Sequence, residues 1–261
     1  MKACHIVPPQ WADKFPEARA GGMMITFVPW ILKYPKYAEY VAERAAEDTY
    51  VILDTDMFER PGPPPDPLQI LMVANLVKPA EIVLPDVLGE SEETLNLSHA
   101  AMDILPEEYN VMFVPQARTF PEWQDTFWTW NNWWVSNNWG RTRRFVIGLS
   151  SLRQATGVKA QSGSRRQLIP EGHYYGATLH LLGLPNVREF LLESAMQGKG
   201  YRMRSVDTHI AFSTGARKQV LTADCTRRFL GDLTRYDTLP DGAEEVIRAN
   251  FAIFDRWALH T

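Results

Sequence analysis

Short apolar runs recur along the chain at Met23–Val28, Tyr50–Leu53, Glu81–Leu84, Val111–Val114, Phe145–Leu149, Leu179–Leu182 and Met203–Val206. They are nearly continuous in apolar residues rather than strictly alternating. This pattern predicts parallel strands covered on both faces. Between them, helical periodicity predicts helices at Tyr37–Ala46, Pro67–Leu76, Ser91–Ile104, Gly172–Leu179, Val187–Gln197 and Gly242–Leu259. The segment Arg60–Pro67 is so rich in proline that it must be a loop. No internal repeat is visible.

Strands alternating with helices predict an α/β fold with a parallel sheet. Several strands end in a polar or turn residue: Asp54, Pro85-Asp86, Pro115-Gln116, Gly148, Gly183 and Asp207. In a barrel, all C-terminal strand ends ring one site, whereas an open doubly wound sheet gathers only a few. The expected architecture is therefore a TIM-type (β/α)8 barrel. Its eighth strand is Ala3–Val7, or else the barrel closes irregularly after Asp207. Residues 1–22 are expected to pack on the barrel as an N-terminal segment, with residues 23–261 forming one barrel domain with C-terminal helices.

Composition narrows the class. The chain has 261 residues, 45% of them hydrophobic, which suits one folded domain with a full core. Aromatic and aliphatic residues are too plentiful for a disordered chain. No run of 18 apolar residues would span a membrane, and the N-terminus has no apolar stretch of the signal-peptide kind. Cys4 and Cys225 are far apart and form neither a zinc spacing nor a disulfide framework, so a reducing cytoplasm is the expected compartment (the host's, if the source is viral).

Charge is unevenly spread. Residues 39–108 hold 16 acidic and 3 basic side chains, whereas residues 141–228 hold 15 basic and 5 acidic. A basic face for a polyanion fits this split, as does a lopsided solvated surface. Six of the nine tryptophans fall in Trp123–Trp139, directly before Arg141, Arg143 and Arg144. Aromatics beside arginines suit base stacking and phosphate contact. On that reading Trp133, Trp134, Arg141, Arg143, Arg144, Arg165, Arg166, Arg217 and Lys218 contact nucleic acid. The competing reading is an amphipathic helix burying its tryptophans, and Trp133 and Trp134 cannot face the same way on a helix.

Asp54 and Asp207 follow the clearest apolar strands. Each alone could cap a helix or bind loop amides. Together, at two strand ends of one barrel, they suit paired carboxylate chemistry at an anomeric carbon, with a separation of about 5 Å in retaining enzymes. A retaining glycoside hydrolase fits that pair as well. No phosphate-binding glycine loop is present, and His173, His180 and His209 have no metal-ligand spacing.

The motifs around these residues resemble one family. Ile52-Leu53-Asp54-Thr55-Asp56-Met57-Phe58-Glu59 is similar to the Asp-Ser-Gly-Gly-(Phe/Tyr)-Gln segment of tRNA-guanine transglycosylases. It is closer still to the Leu-Asp-Asn-Gly-Ala-Phe-Glu version in phage and bacterial relatives that place 7-deazaguanines in DNA. Ile82–Gly89 resembles the strand carrying the guanine-reading aspartate, and Val114-Pro115-Gln116 the Val-Gln-Gly turn. Ile147-Gly148-Leu149 resembles Ile-Gly-Gly-Leu, and His180–Leu184 resembles Tyr-Leu-Met-Gly-Val. Val206-Asp207, with Thr214–Arg217 after it, resembles the nucleophile strand and the stretch that follows. The match is collinear from Met23 to Arg217. Asp56 and Met57 replace the family's glycines, and the zinc-binding subdomain of the tRNA enzymes is missing.

The resemblance implies a reaction. Asp207 is the nucleophile at C1′ of deoxyguanosine, and Asp54 handles the proton of the leaving and incoming bases. Asp86 reads the guanine edge. Gln116 and the backbone of Gly148 and Leu149 meet O6 and a C7 substituent, and Phe58 and Leu182 sandwich the ring. The expected product is DNA in which a preQ0-type 7-deazaguanine replaces guanine, a modification that shields phage DNA from restriction. Expected partners are single-stranded or base-flipped DNA and a free 7-deazaguanine, with no membrane, cofactor or metal; a homodimer is compatible. A tRNA substrate and a non-catalytic nucleic-acid-binding role are the alternatives within the family.

Overall fold

Eight parallel strands, each opening a unit of the chain, lie in the order β1-β8-β7-β6-β5-β4-β3-β2 in a computed structural model. The structure describes residues 1–19, 21–55, 63–141, 143–150, 168–170, 178–184, 186–222 and 236–259. The strands are β1 (Lys2–His5), β2 (Met23–Phe27), β3 (Tyr50–Asp54), β4 (Glu81–Val83), β5 (Asn110–Phe113), β6 (Phe145–Leu149), β7 (Thr178–Leu181) and β8 (Met203–Thr208). Helices α1 (Val28–Lys33) and α2 (Pro35–Ala46) follow β2, α3 (Pro67–Val77) precedes β4, and α4 (Ser91–Ile104) precedes β5. After β5 comes α5 (Phe120–Ser136), after β7 α6 (Val187–Gln197), and after β8 α7 (Ile210–Gly215) and α8 (Ala243–Leu259). The fold is the TIM-type (β/α)8 barrel.

Closure is irregular. Ladders join every neighbouring pair from β2 round to β8 and on to β1, but among the described residues no ladder joins β1 to β2. At that seam the backbones still come close: a Cβ built on Gly21 would lie 3.3 Å from the Ala3 carbonyl oxygen. Residues 1–22 thus supply a strand of the barrel, paired in register with β8 from Lys2↔Ser205 to His5↔Thr208. A second irregularity is a register shift between Leu179 and His180 on β7.

Local chemistry sets the helix ends. Asp66 accepts from the Leu68 amide at 2.8 Å, with Pro67 at the first helical turn, and α3 stops at Lys78 in the left-handed region. Thr119 caps α5 by accepting from the Glu122 amide, and Asn186 caps α6 by accepting from the Glu189 amide at 2.8 Å. The predicted helix at Gly172–Leu179 lies mostly outside the described residues, and its last two residues belong to β7.

Helix α8 straps the outside of β1. His5 is bonded to Asp255 at 2.9 Å, and its ring sits 4.7 Å from that of Phe251. Asn250 is fully buried. It accepts from the Leu221 amide and donates to the carbonyls of Ala211 and Gln219, tying α7 and the chain after it to α8. A Cβ at Gly215 would lie 2.6 Å from the Ile247 backbone, so only glycine permits this helix approach.

Candidate active site

Parallel strands alternate their side chains between the barrel interior and the helices. The Tyr50 hydroxyl donates to Glu81 Oε2 at 2.8 Å, which marks Tyr50 as inward and, two and four residues on, Ile52 and Asp54 as well. Gly148 lies opposite His180, His180 opposite Ser205, and Asp207 opposite Cys4. A Cβ on Gly148 would strike Leu182, Val114 and Met112 within 2.9 Å, so this row also faces inward. Asp54 closes β3 and Asp207 lies near the end of β8, so both stand at the C-terminal end of the barrel.

Asp54 has a second carboxylate for a neighbour. Asp86 is buried, and its carboxyl is pushed up to about 7, first by loss of water and second by the charge of Asp54. Gln116 donates its side-chain N–H to Asp86 Oδ2 in a very short hydrogen bond, which opposes that rise. The other end of the amide, Gln116 Oε1, is buried without a hydrogen-bond partner among the described residues. The same holds for Thr55 Oγ1, just past β3, and Ser150 Oγ, just past β6. Buried polar atoms are normally bonded, so these three oxygens at the C-terminal end of the barrel are open to a polar ligand. Gln116 was expected, with the backbone of Gly148 and Leu149, to meet O6 and a C7 substituent. Here that N–H is committed to Asp86, and the amide offers an acceptor to the site.

Asp207 is buried and held on three bonds. Its Oδ1 lies 2.9 Å from His180 Nε2 and accepts from the Gly183 amide at 3.0 Å, while Oδ2 accepts from the same amide at 2.9 Å. His180 Nδ1 lies 2.7 Å from Ser205 Oγ. His209, just past β8, is desolvated, which pulls its imidazole down to about 4 and keeps it neutral above that pH. Cys4, opposite Asp207, is a buried thiol pushed far above its ordinary range, first by burial and then by the Asp207 charge, so it is inert.

Gly148 is roofed by Leu182, Val114 and Met112, so its backbone is reached only where those side chains give way. The Leu149 carbonyl accepts from the Leu182 amide at 2.9 Å, and Leu182 itself is half-buried at the rim. Phe58 lies outside the described residues, as do Arg165 and Arg166.

The residues expected to contact nucleic acid lie in different parts of the molecule. No tryptophan in Trp123–Trp139 is exposed. Trp134 is buried with its ring 5.0 Å from Phe145, and Trp133 is half-buried 4.3 Å from the His99 ring. Trp130 stacks at 4.3 Å on Phe113 of β5. These rings pack α5 against the barrel. Arg143 is buried too: it donates to the Leu105 carbonyl at 2.6 Å and lies over the Trp139 ring. Arg144 is exposed, but it precedes β6 and so sits at the opposite end of the barrel from Asp54 and Asp207. Arg141 also precedes β6; its side chain is outside the description. Arg217 and Lys218 are exposed just beyond α7, after β8.

Reading the sequence passed over the partners of Asp207. His180 looked isolated, although an imidazole inside an apolar run such as Leu179–Leu182 must find polar company within the barrel. Glu81 and Arg204, charged residues inside strands, carry the same signal. Arg204 Nη1 and Nη2 grip Glu81 at 2.5 and 2.9 Å. Among the described residues, no group of three His, Cys, Asp or Glu side chains could hold a metal ion, and no helix is long and apolar enough to cross a membrane.

No protein-family model matches the sequence, and no curated protein does. Among solved structures, the chain is similar to a D-psicose 3-epimerase with D-tagatose from Clostridium cellulolyticum H10. The identity is 11%, the TM-score is 0.49, and 99% of each chain is covered.

Proposed function

We propose that the protein exchanges guanine in DNA for a free 7-deazaguanine through a covalent aspartyl–deoxyribose intermediate. One observation carries this reading: a nucleophile candidate held by its neighbours, Asp207, and a carboxylate pair with an amide, Asp54, Asp86 and Gln116, occupy the same end of one barrel. The collinear sequence resemblance supplies the substrate class.

The steps balance without a cofactor. An Asp207 oxygen attacks C1′, the C1′–N9 bond breaks, and its electron pair leaves with guanine. Near pH 7 the desolvated Asp86 is part-protonated beside Asp54, and a proton of this pair passes through Asp54 to the departing base. The incoming 7-deazaguanine then gives its N9 proton back to Asp54. Its N9 attacks C1′ and expels the Asp207 carboxylate. Two inversions retain the sugar configuration. Asp86, as carboxylate, accepts from the N1–H and 2-amino group of a guanine-type edge.

DNA enters from the C-terminal rim with the target nucleotide flipped or single-stranded, because C1′ is out of reach in a stacked duplex. Arg217 and Lys218 follow β8 at this end, and the sequence continuing from Ser150 carries Arg153, Lys159, Arg165 and Arg166. The test is incubation of the purified protein with labelled preQ0 and either guanine-containing DNA or tRNA. Label in DNA, lost in Asp207→Ala and Asp54→Ala, is the expected result. Label in tRNA alone reassigns the polymer, and label in neither overturns base exchange.

A further inference from the structure

We propose that His180 is the positioning residue of Asp207, and that its tautomer is dictated by hydrogen bonds reaching from the opposite end of the barrel. The inference rests on the base-exchange reading for what Asp207 does, but its geometry stands apart from it.

The chain of bonds begins where Tyr50 donates its hydroxyl to Glu81 at 2.8 Å. Burial, and then the Glu81 charge, push that phenol above its ordinary range, so it remains a donor. Glu81 is fully buried and holds the Arg204 guanidinium in a two-pronged grip. A guanidinium has only donors, so Arg204 Nε–H donates to Ser205 Oγ at 2.9 Å. Ser205 is fully buried, and its own O–H needs an acceptor. The imidazole Nδ1 of His180 is 2.7 Å away. On the far side of the ring, His180 Nε2 faces a carboxylate oxygen of Asp207 at 2.9 Å, which demands a proton on Nε2.

One arrangement uses every proton. Ser205 donates to a bare Nδ1, and Nε2–H donates to Asp207 Oδ1. A proton on Nδ1 would make Ser205 Oγ accept twice, from Arg204 Nε–H and from the ring, and leave its hydroxyl hydrogen without an acceptor among the described residues. Tyr50 and Arg204 both donate into Glu81, and from Arg204 onward donation runs one way, through Ser205 and His180 to Asp207 at the rim.

The consequence for Asp207 is a division of labour between its oxygens. Oδ1 is committed to His180 and the Gly183 amide, whereas among the described residues Oδ2 meets only that amide. Oδ2 is the oxygen left to attack C1′, and the fixed Oδ1 holds it in line. When C1′ is released in the second step, the N–H of His180 receives the returning charge.

The test has two independent readouts on the full-length protein. Nitrogen-15 spectra of the histidine rings, with His180 assigned by its loss in His180→Gln, should show a protonated Nε2 and a bare Nδ1. In Ser205→Ala the Nδ1–H form should gain population. In labelled-base incorporation into DNA, His180→Leu should lower kcat about 100-fold, with KM for DNA and for the base within about twofold. His180→Gln, whose amide can also donate to Asp207, should recover to within about tenfold of wild type. Should His180→Leu fail to fold, Ser205→Ala carries the comparison: about a tenfold loss with His180 present and none in the His180→Gln background. A bare Nε2 in the wild type, or wild-type kcat in His180→Leu, overturns the proposal. A wild type that incorporates no base sinks the base-exchange reading, and the ring spectra then still uphold or overturn the relay.

Discussion

A carboxylic acid deprived of water beside a second carboxylate keeps its proton at a pH where a free one has lost it, and Asp86 does so next to Asp54. Two predictions belong at this scale. Reading a guanine-type edge takes the ionised form, because both partners are donors. Affinity for a 7-deazaguanine should therefore tighten from pH 6 to pH 8 and level off above. Binding near pH 7 should release protons, as titration calorimetry in buffers of different ionisation heat would register. The second prediction concerns stability. The folded state holds the Asp86 proton up to about pH 7, whereas the unfolded chain loses it near 3.8. Between those values the folded form binds more protons, so stability falls as pH rises, and the full penalty is present above 7. Asp86→Asn removes that penalty. It should raise Tm at pH 8 by about 5 °C, leave Tm at pH 4 unchanged, and abolish base exchange. Thermal melts at the two pH values decide it.

At the scale of elements, α5 is the instructive case. Trp123, Phe127, Trp130 and Trp134 fall at helical spacing on one face, and all four are buried. That stripe was legible in the sequence, but so was the neighbouring run of arginines, which drew the tryptophans toward a nucleic-acid reading. Burial of large rings against β5 and β6 outweighs it, since each ring removes more apolar area from water than any exposed stack could offer. Trp133→Leu should accordingly leave the affinity for single-stranded DNA within about twofold while lowering stability by about 1–3 kcal/mol through lost packing on His99 and Trp130. A gel-shift titration paired with a urea melt would separate the two effects. The seven long apolar strands were equally legible, because parallel strands buried on both faces leave no polar alternation to misread. β1 was only a candidate: four residues, with Lys2 and His5 at its ends, carry little pattern. The carboxylates at strand ends could be picked out one by one. Their partners could not, because which residue of β7 meets which residue of β8 depends on a register shift that no linear spacing records.

For the molecule as a whole, the Glu81–Arg204 pair spans the barrel from β4 to β8 and supports both the floor and the bonds leading to Asp207. Glu81 is fully buried, so its loss strands a largely desolvated guanidinium. Glu81→Gln should cost about 3 kcal/mol in denaturant unfolding, and adding Arg204→Met should return most of it, since an uncompensated charge is worse than none. The partnership of β1 has a different reach. Cys4 pairs with Asp207, so β1 finds this neighbour only after some two hundred further residues have been translated. At about 5–20 residues per second, that interval is roughly 10–40 s. Throughout it, the edge of β1 has no β8 to pair with. Closing this barrel therefore waits until most of the chain has been made, and the edge of β1 is unpaired until then.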